Sequence, residues 1–96
     1  MITLDLVAKG IAMWETELAE IRLALSVNIK TLRKTRNLAQ ERLALEAGVD
    51  RTVVSKIERQ VSNPSLEILV KLALVLDVPV TRLLFTPDGS STCGKQ

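Results

Sequence analysis

Residues 40–58, QERLALEAGVDRTVVSKIE, confine the fold more tightly than any other stretch of this chain. Gln40 to Ala47 reads as a short helix with Leu43 and Ala44 inward, and Gly48 ends it, because glycine enters the left-handed region without strain. Asp50 then stands where an N-cap belongs, and Val49 with Val54 fits the apolar pair that brackets a helix start. A second helix is expected over residues 51–59. At about 100° per residue, Arg51, Thr52, Ser55, Lys56 and Arg59 share one arc of roughly 140°. Val53, Val54 and Ile57 take the opposite side. That helix therefore has one dry edge and one wet edge, and the wet edge is either merely solvated or meant to touch something.

The flanking segments are helical as well. A helix is expected from Ser26 or Asn28 to Arg36, with Ile29 and Leu32 inward, either starting afresh or continuing from the segment before it. Asn37 suits the left-handed residue that closes it. Ser65 can cap a helix running to Leu76 that carries Leu66, Leu69, Val70, Leu72 and Ala73, and DVP at 77–79 breaks it. Val80 to Phe85 gives a last short turn with Leu83, Leu84 and Phe85. Apolar residues form 47% of the chain but aromatics only 2%, so Leu, Val, Ile and Ala must build the core of an all-α domain. Residues 40–58 then have a helix-turn-helix layout.

Ahead of this lies a heptad seam. Leu4, Val7, Ile11, Trp14, Leu18, Ile21 and Leu25 are spaced alternately three and four residues apart. The seam pairs with a second copy or packs on its own domain. In a parallel pair, Glu17 at g faces Arg22 at the following e of the partner, whereas Leu6, Met13 and Leu23 widen the stripe and favour burial. Residues 1–25 are accordingly expected to be an N-terminal amphipathic helix for dimerisation or packing. Residues 26–86 form the domain proper and 87–96 a disordered polar tail.

Several function classes are excluded or disfavoured. The chain has no histidine, which removes the commonest general base and metal ligand, and no cluster of other groups suggests an enzyme, a metal or a cofactor. Cys93 is the single cysteine, so no internal disulfide forms and a reducing cytoplasm is expected. No basic start precedes an apolar run as in a signal peptide, and no stretch approaches the roughly 18 apolar residues of a membrane span. Charge is uneven. Residues 26–86 hold ten Lys or Arg against six Asp or Glu, while residues 1–25 hold two against four. The middle of the chain is the part that attracts a polyanion.

Residues 28–85, above all LAQERLALEAGVDRTVVSKIER followed by NPSLEILVKLALVLDVPV, resemble the Cro/C1-type helix-turn-helix family, also called the XRE family. The resemblance implies a five-helix lambda-repressor-like DNA-binding domain, here with an additional N-terminal helix, usually acting as a homodimer. It implies that Arg51, Thr52, Ser55 and Lys56 face base edges in the major groove, and that Gln40, Arg59, Ser62 and Asn63 contact phosphates. It also implies that Arg33 and Glu58 form a structural ion pair. Three departures stand out: Ala39 where the family has a capping Thr, Ser or Asn; Gln60 where Gly is common; and the whole of residues 1–25. Dimer contacts are expected from Leu4, Val7, Ile11, Trp14, Leu18 and Ile21, together with Leu83 and Phe85 near the last helix.

The expected function is a sequence-specific regulator of transcription, most simply a homodimeric repressor on a palindromic site in double-stranded DNA. Prophage repressors and restriction–modification controllers share this plan. The alternative is an antitoxin that neutralises a partner protein and regulates its own operon.

Overall fold

The computed structural model describes residues 12–86, which form five helices. These are α1 (Met13–Thr35), α2 (Gln40–Ala47), α3 (Val53–Glu58), α4 (Leu66–Leu76) and α5 (Val80–Leu84). Helix α1 packs on α3 and α5, α2 on α3 and α4, and α4 on α5, so α3 is held between α1 and α2.

The core is wholly aliphatic, as the composition requires. Leu25 and Ile29 of α1 meet Leu43 and Ala44 of α2, Val54 and Ile57 of α3, Leu69, Leu72, Ala73 and Leu76 of α4, and Leu83 of α5. Complete burial of one such Leu or Ile side chain stabilises the fold by about 1.5–3 kcal/mol. Both aromatic residues stay outside this core: Trp14 is 65% exposed and Phe85 55%.

Four of the five helices end in one way. The chain turns through a left-handed residue: Asn37 (φ 57°), Gly48 (φ 73°), Gln60 (φ 63°) and Asp77 (φ 59°). The N–H of the next residue then bonds back over the last turn: Leu38 to Arg33 O, Val49 to Ala44 O, Val61 to Lys56 O and Val78 to Ala73 O, each at 3.0–3.1 Å. This double closure satisfies carbonyls that a helix end otherwise leaves open. Leu38, Val49 and Val78 also pack on the core, which fixes the exit of each chain segment. Only one of the four left-handed residues is glycine. The helix starts are weaker. Ser65 Oγ accepts from Ile68 N–H at 3.2 Å, but Ala39 has the extended backbone of an N-cap and no side chain to cap with.

Several sequence expectations change here. No helix begins at Ser26 or Asn28: α1 runs through both without a break, and the expected division between residues 25 and 26 falls inside it. Both side chains are buried and bonded to distant backbone. Ser26 Oγ donates to Glu58 O at 2.8 Å, and Asn28 Nδ2 donates to Leu83 O at 2.8 Å and Phe85 O at 2.6 Å. Leu83, expected in a dimer contact, is completely buried within the protomer and offers no surface to a partner. Leu66 and Val70 lie on the outer side of α4, 73% and 44% exposed, because α4 is apolar on nearly every face and only Leu69, Leu72, Ala73 and Leu76 are buried. Met13 and Leu23 are exposed rather than buried. Leu4, Val7, Ile11 and the tail 87–96 lie outside the described residues.

One apolar line therefore has two fates. Leu25 and Ile29 are covered by the domain, whereas toward the start of α1 Leu18 is half-buried, Ile21 is 37% exposed and Trp14 is more open still. Among the described residues, no helix is long and apolar enough to cross a membrane.

Candidate nucleic-acid interface

Helix α3 spans six residues, too few to be stable by its own hydrogen bonds, so its neighbours hold it in place. The regular helix is shorter than expected because Arg51 and Thr52 form a turn ahead of it. Asp50 organises that turn: one carboxylate oxygen accepts from Thr52 N–H at 2.8 Å and from Thr52 Oγ1 at 2.6 Å. These two hydrogen bonds hold the Asp50 carboxyl below its ordinary range. They also use the Thr52 hydroxyl proton, so toward solvent Thr52 presents a methyl group and oxygen lone pairs.

The far end of α3 converges on Glu58, whose side chain is only 3% exposed. Arg33 Nε donates to its Oε2 at 2.8 Å and Nη2 to its Oε1 at 3.0 Å, while Nη1 reaches Leu38 O at 2.8 Å. Gln40 Nε2 donates to Oε1 at 2.9 Å. Burial pushes the Glu58 carboxyl up, but the hydrogen bonds from Arg33 and Gln40 and the charges of Arg33 and Lys30 outweigh it and hold the group below its ordinary range. The expected ion pair is present, with Gln40 as a third member that sequence reasoning had assigned to phosphate alone.

What remains outward is the wet edge. Val54, Ile57 and Glu58 are buried, while Arg51, Thr52, Lys56 and Arg59 are exposed and Ser55 is half-buried. Arg59 Nε donates to Ser55 Oγ at 3.3 Å, linking two residues one turn apart. Arg51 and Lys56 make no hydrogen bond or ion pair with another described side chain, so their donors are available. Beyond α3, Ser62 is half-buried and Asn63 exposed, and Asn63 Oδ1 accepts from Arg22 of α1. Arg22 had been expected to face a partner's Glu17. Its true neighbour is 41 residues away in sequence, which no local pattern could reveal. The arrangement can present an Arg, a Lys and a hydroxyl-bearing residue to a groove about 12 Å wide that admits one helix.

Comparison with known proteins agrees with this geometry. The helix-turn-helix family model matches residues 29–83. A hypothetical transcription factor of Neisseria meningitidis is 37% identical over 69 residues, covering 72% of this chain and 65% of its own length, a little under two thirds. Control protein C.SmaI of Serratia marcescens is 37% identical over 65 residues, covering 68% of this chain and 77% of its own. The solved N-terminal DNA-binding domain of SinR from Bacillus subtilis superposes with a TM-score of 0.62 at 40% identity, over 65% of this chain and 91% of that one. With a matching five-helix order, a buried Arg33–Glu58 clasp and an outward edge on α3, this chain belongs to the Cro/C1-type helix-turn-helix family.

Proposed function

We propose that this protein is a transcription regulator that reads double-stranded DNA through α3, as a homodimeric repressor on a palindromic site. The observation that carries the reading is the sidedness of α3: its inner face is locked to α1 and α2, and its outer edge offers Arg51, Thr52, Ser55 and Lys56. Arg51 suits the paired acceptors of guanine, Lys56 guanine or a phosphate, and the Thr52 methyl a thymine methyl. Gln40, Arg59, Ser62 and Asn63 border this edge as phosphate contacts. The SinR fragment, described as a DNA-binding domain, and the control protein support the same role.

One protomer offers few base contacts, and the exposed end of α1 offers a surface for a second. Trp14, Leu18 and Ile21 there, with Phe85 beside α5, are assigned to the dimer, and residues 1–25 to the dimer-forming element. The same apolar end of α1 is the feature that favours the antitoxin reading, in which it holds a partner protein instead. Analytical ultracentrifugation separates the two: a dimer of the isolated protein supports the repressor, and a stable monomer supports the partner protein.

The functional test is selection from random duplexes at roughly 0.15 M salt, because phosphate-dominated binding weakens steeply with salt. Enrichment of a palindrome with half-site centres about 10 base pairs apart supports the reading. Arg51→Ala then relaxes preference at one defined position of each half-site. Failure to enrich any sequence overturns it.

A further inference from the structure

Arg22 lies ahead of the family-matched segment, yet its guanidinium touches the loop that follows α3. Its Nε donates to Asn63 Oδ1 at 2.9 Å, and its Nη2 donates to the same oxygen. Arginine carries donors only, so the oxygen end of the Asn63 amide must be the end that faces it. The Nδ2 amino group is thereby turned away from α1, and it has no acceptor among the described residues. Asn63 itself is exposed, five residues beyond the end of α3. A neutral amide donor held in one orientation there fits a phosphate oxygen, the group that fixes register on a duplex.

We propose that Arg22 is a positioning residue for DNA binding, which clamps Asn63 Oδ1 so that the Nδ2 donors point outward to a backbone phosphate. The inference rests on the DNA-reading function proposed above. It gives the helix outside the family unit a direct hand in affinity. A loose Asn63 would divide its time among amide orientations and lose side-chain entropy on binding, whereas the clamped one is already ordered.

The test uses the full chain and the duplex recovered by selection, with dissociation constants measured over a range of salt. Asn63→Ala weakens binding by about tenfold, the scale of one hydrogen bond to a charged group. Arg22→Ala loses nearly as much although Asn63 is intact, and the double variant is no more than about twofold weaker than Asn63→Ala, the signature of two residues acting as one unit. The salt slope of Arg22→Ala matches that of the unaltered protein. Asn63→Asp keeps an acceptor for Arg22 and melts no lower than the unaltered protein, yet binds DNA more weakly than Asn63→Ala. Melts followed by circular dichroism show that the variants are folded.

Two results overturn the proposal while leaving the function standing. One is unchanged binding by Arg22→Ala. The other is additive losses with a salt slope reduced by about 0.9, which makes Arg22 itself the phosphate contact. If the unaltered protein retains no duplex in the selection, the functional reading and this inference fall together.

Discussion

Arg33 grips both carboxylate oxygens of Glu58, at 2.8 and 3.0 Å, and so fastens the longest helix to the final residue of α3. Attraction within such a pair largely offsets the loss of water, so its net stabilisation is small, but a half-removed pair leaves a buried charge. Arg33→Ala is expected to cost about 3–5 kcal/mol in urea unfolding. Replacing both residues together, Arg33→Met with Glu58→Leu, costs less than Arg33→Ala alone.

The same clasp sets an acid limit. The folded-state pKa of Glu58 lies below its unfolded value, so its contribution is complete above the unfolded pKa and is lost as pH falls through the folded one. Unfolding free energy should hold level from neutrality down to about pH 5 and decline below about pH 4. Asp50 acts in the same direction from the other end of α3. In Glu58→Gln the decline is shallower, read by urea titrations at each pH.

Gln60 closes α3 with a φ of 63°, a conformation that costs a residue with a Cβ about 1–2 kcal/mol. Gln60→Gly removes that strain but gives the unfolded chain more freedom, and a net gain of about 0.5 kcal/mol remains. Asn37→Gly gains less, because asparagine tolerates the left-handed region. Thermal melts of the two variants rank them.

Ala39 already has the backbone of an N-cap, φ −73° and ψ 160°, at the start of α2. Ala39→Ser supplies the missing acceptor without moving the chain and stabilises the fold by about 1 kcal/mol. A melting temperature no higher than that of the unaltered protein counts against this.

Trp14 is the single tryptophan and lies on the exposed end of α1, so its fluorescence reports whatever covers that end. In a dimer built there, emission shifts to the red as the protein is diluted and the pair separates. Trp14→Lys with Ile21→Lys gives a monomer at concentrations where the unaltered protein sediments as a dimer. Its helical content is unchanged.

The helices and the wet edge were legible because their signals are local: apolar spacing, Gly48 and Asn37 at helix ends, Ser65 and Asp50 at helix starts. The rest depends on partners far away in sequence. Ser26 and Asn28 carry the residue types of caps, so they look like a helix start. Only the fold brings them against Glu58 O, Leu83 O and Phe85 O and turns them into buried staples. Ile21, Leu25 and Leu32 continue one spacing, and nothing in that spacing marks where the domain stops covering it. Leu83 sits near exposed Phe85, but the turn of a five-residue helix puts one inside and the other out. Gln60 and Asp77 gave no left-handed signal of their own; the apolar residue after each, Val61 and Val78, was the trace available.

The staple from Ser26 to Glu58 O has a consequence for how such a protein changes over generations. The shape of α3 is maintained from behind, by Ser26, Arg33 and Gln40, and by Val54 and Ile57 in the core. Arg51, Lys56 and Arg59 bear none of that duty. Descendants can therefore exchange these outward residues freely, drifting toward a different target sequence, while inheriting the scaffold intact.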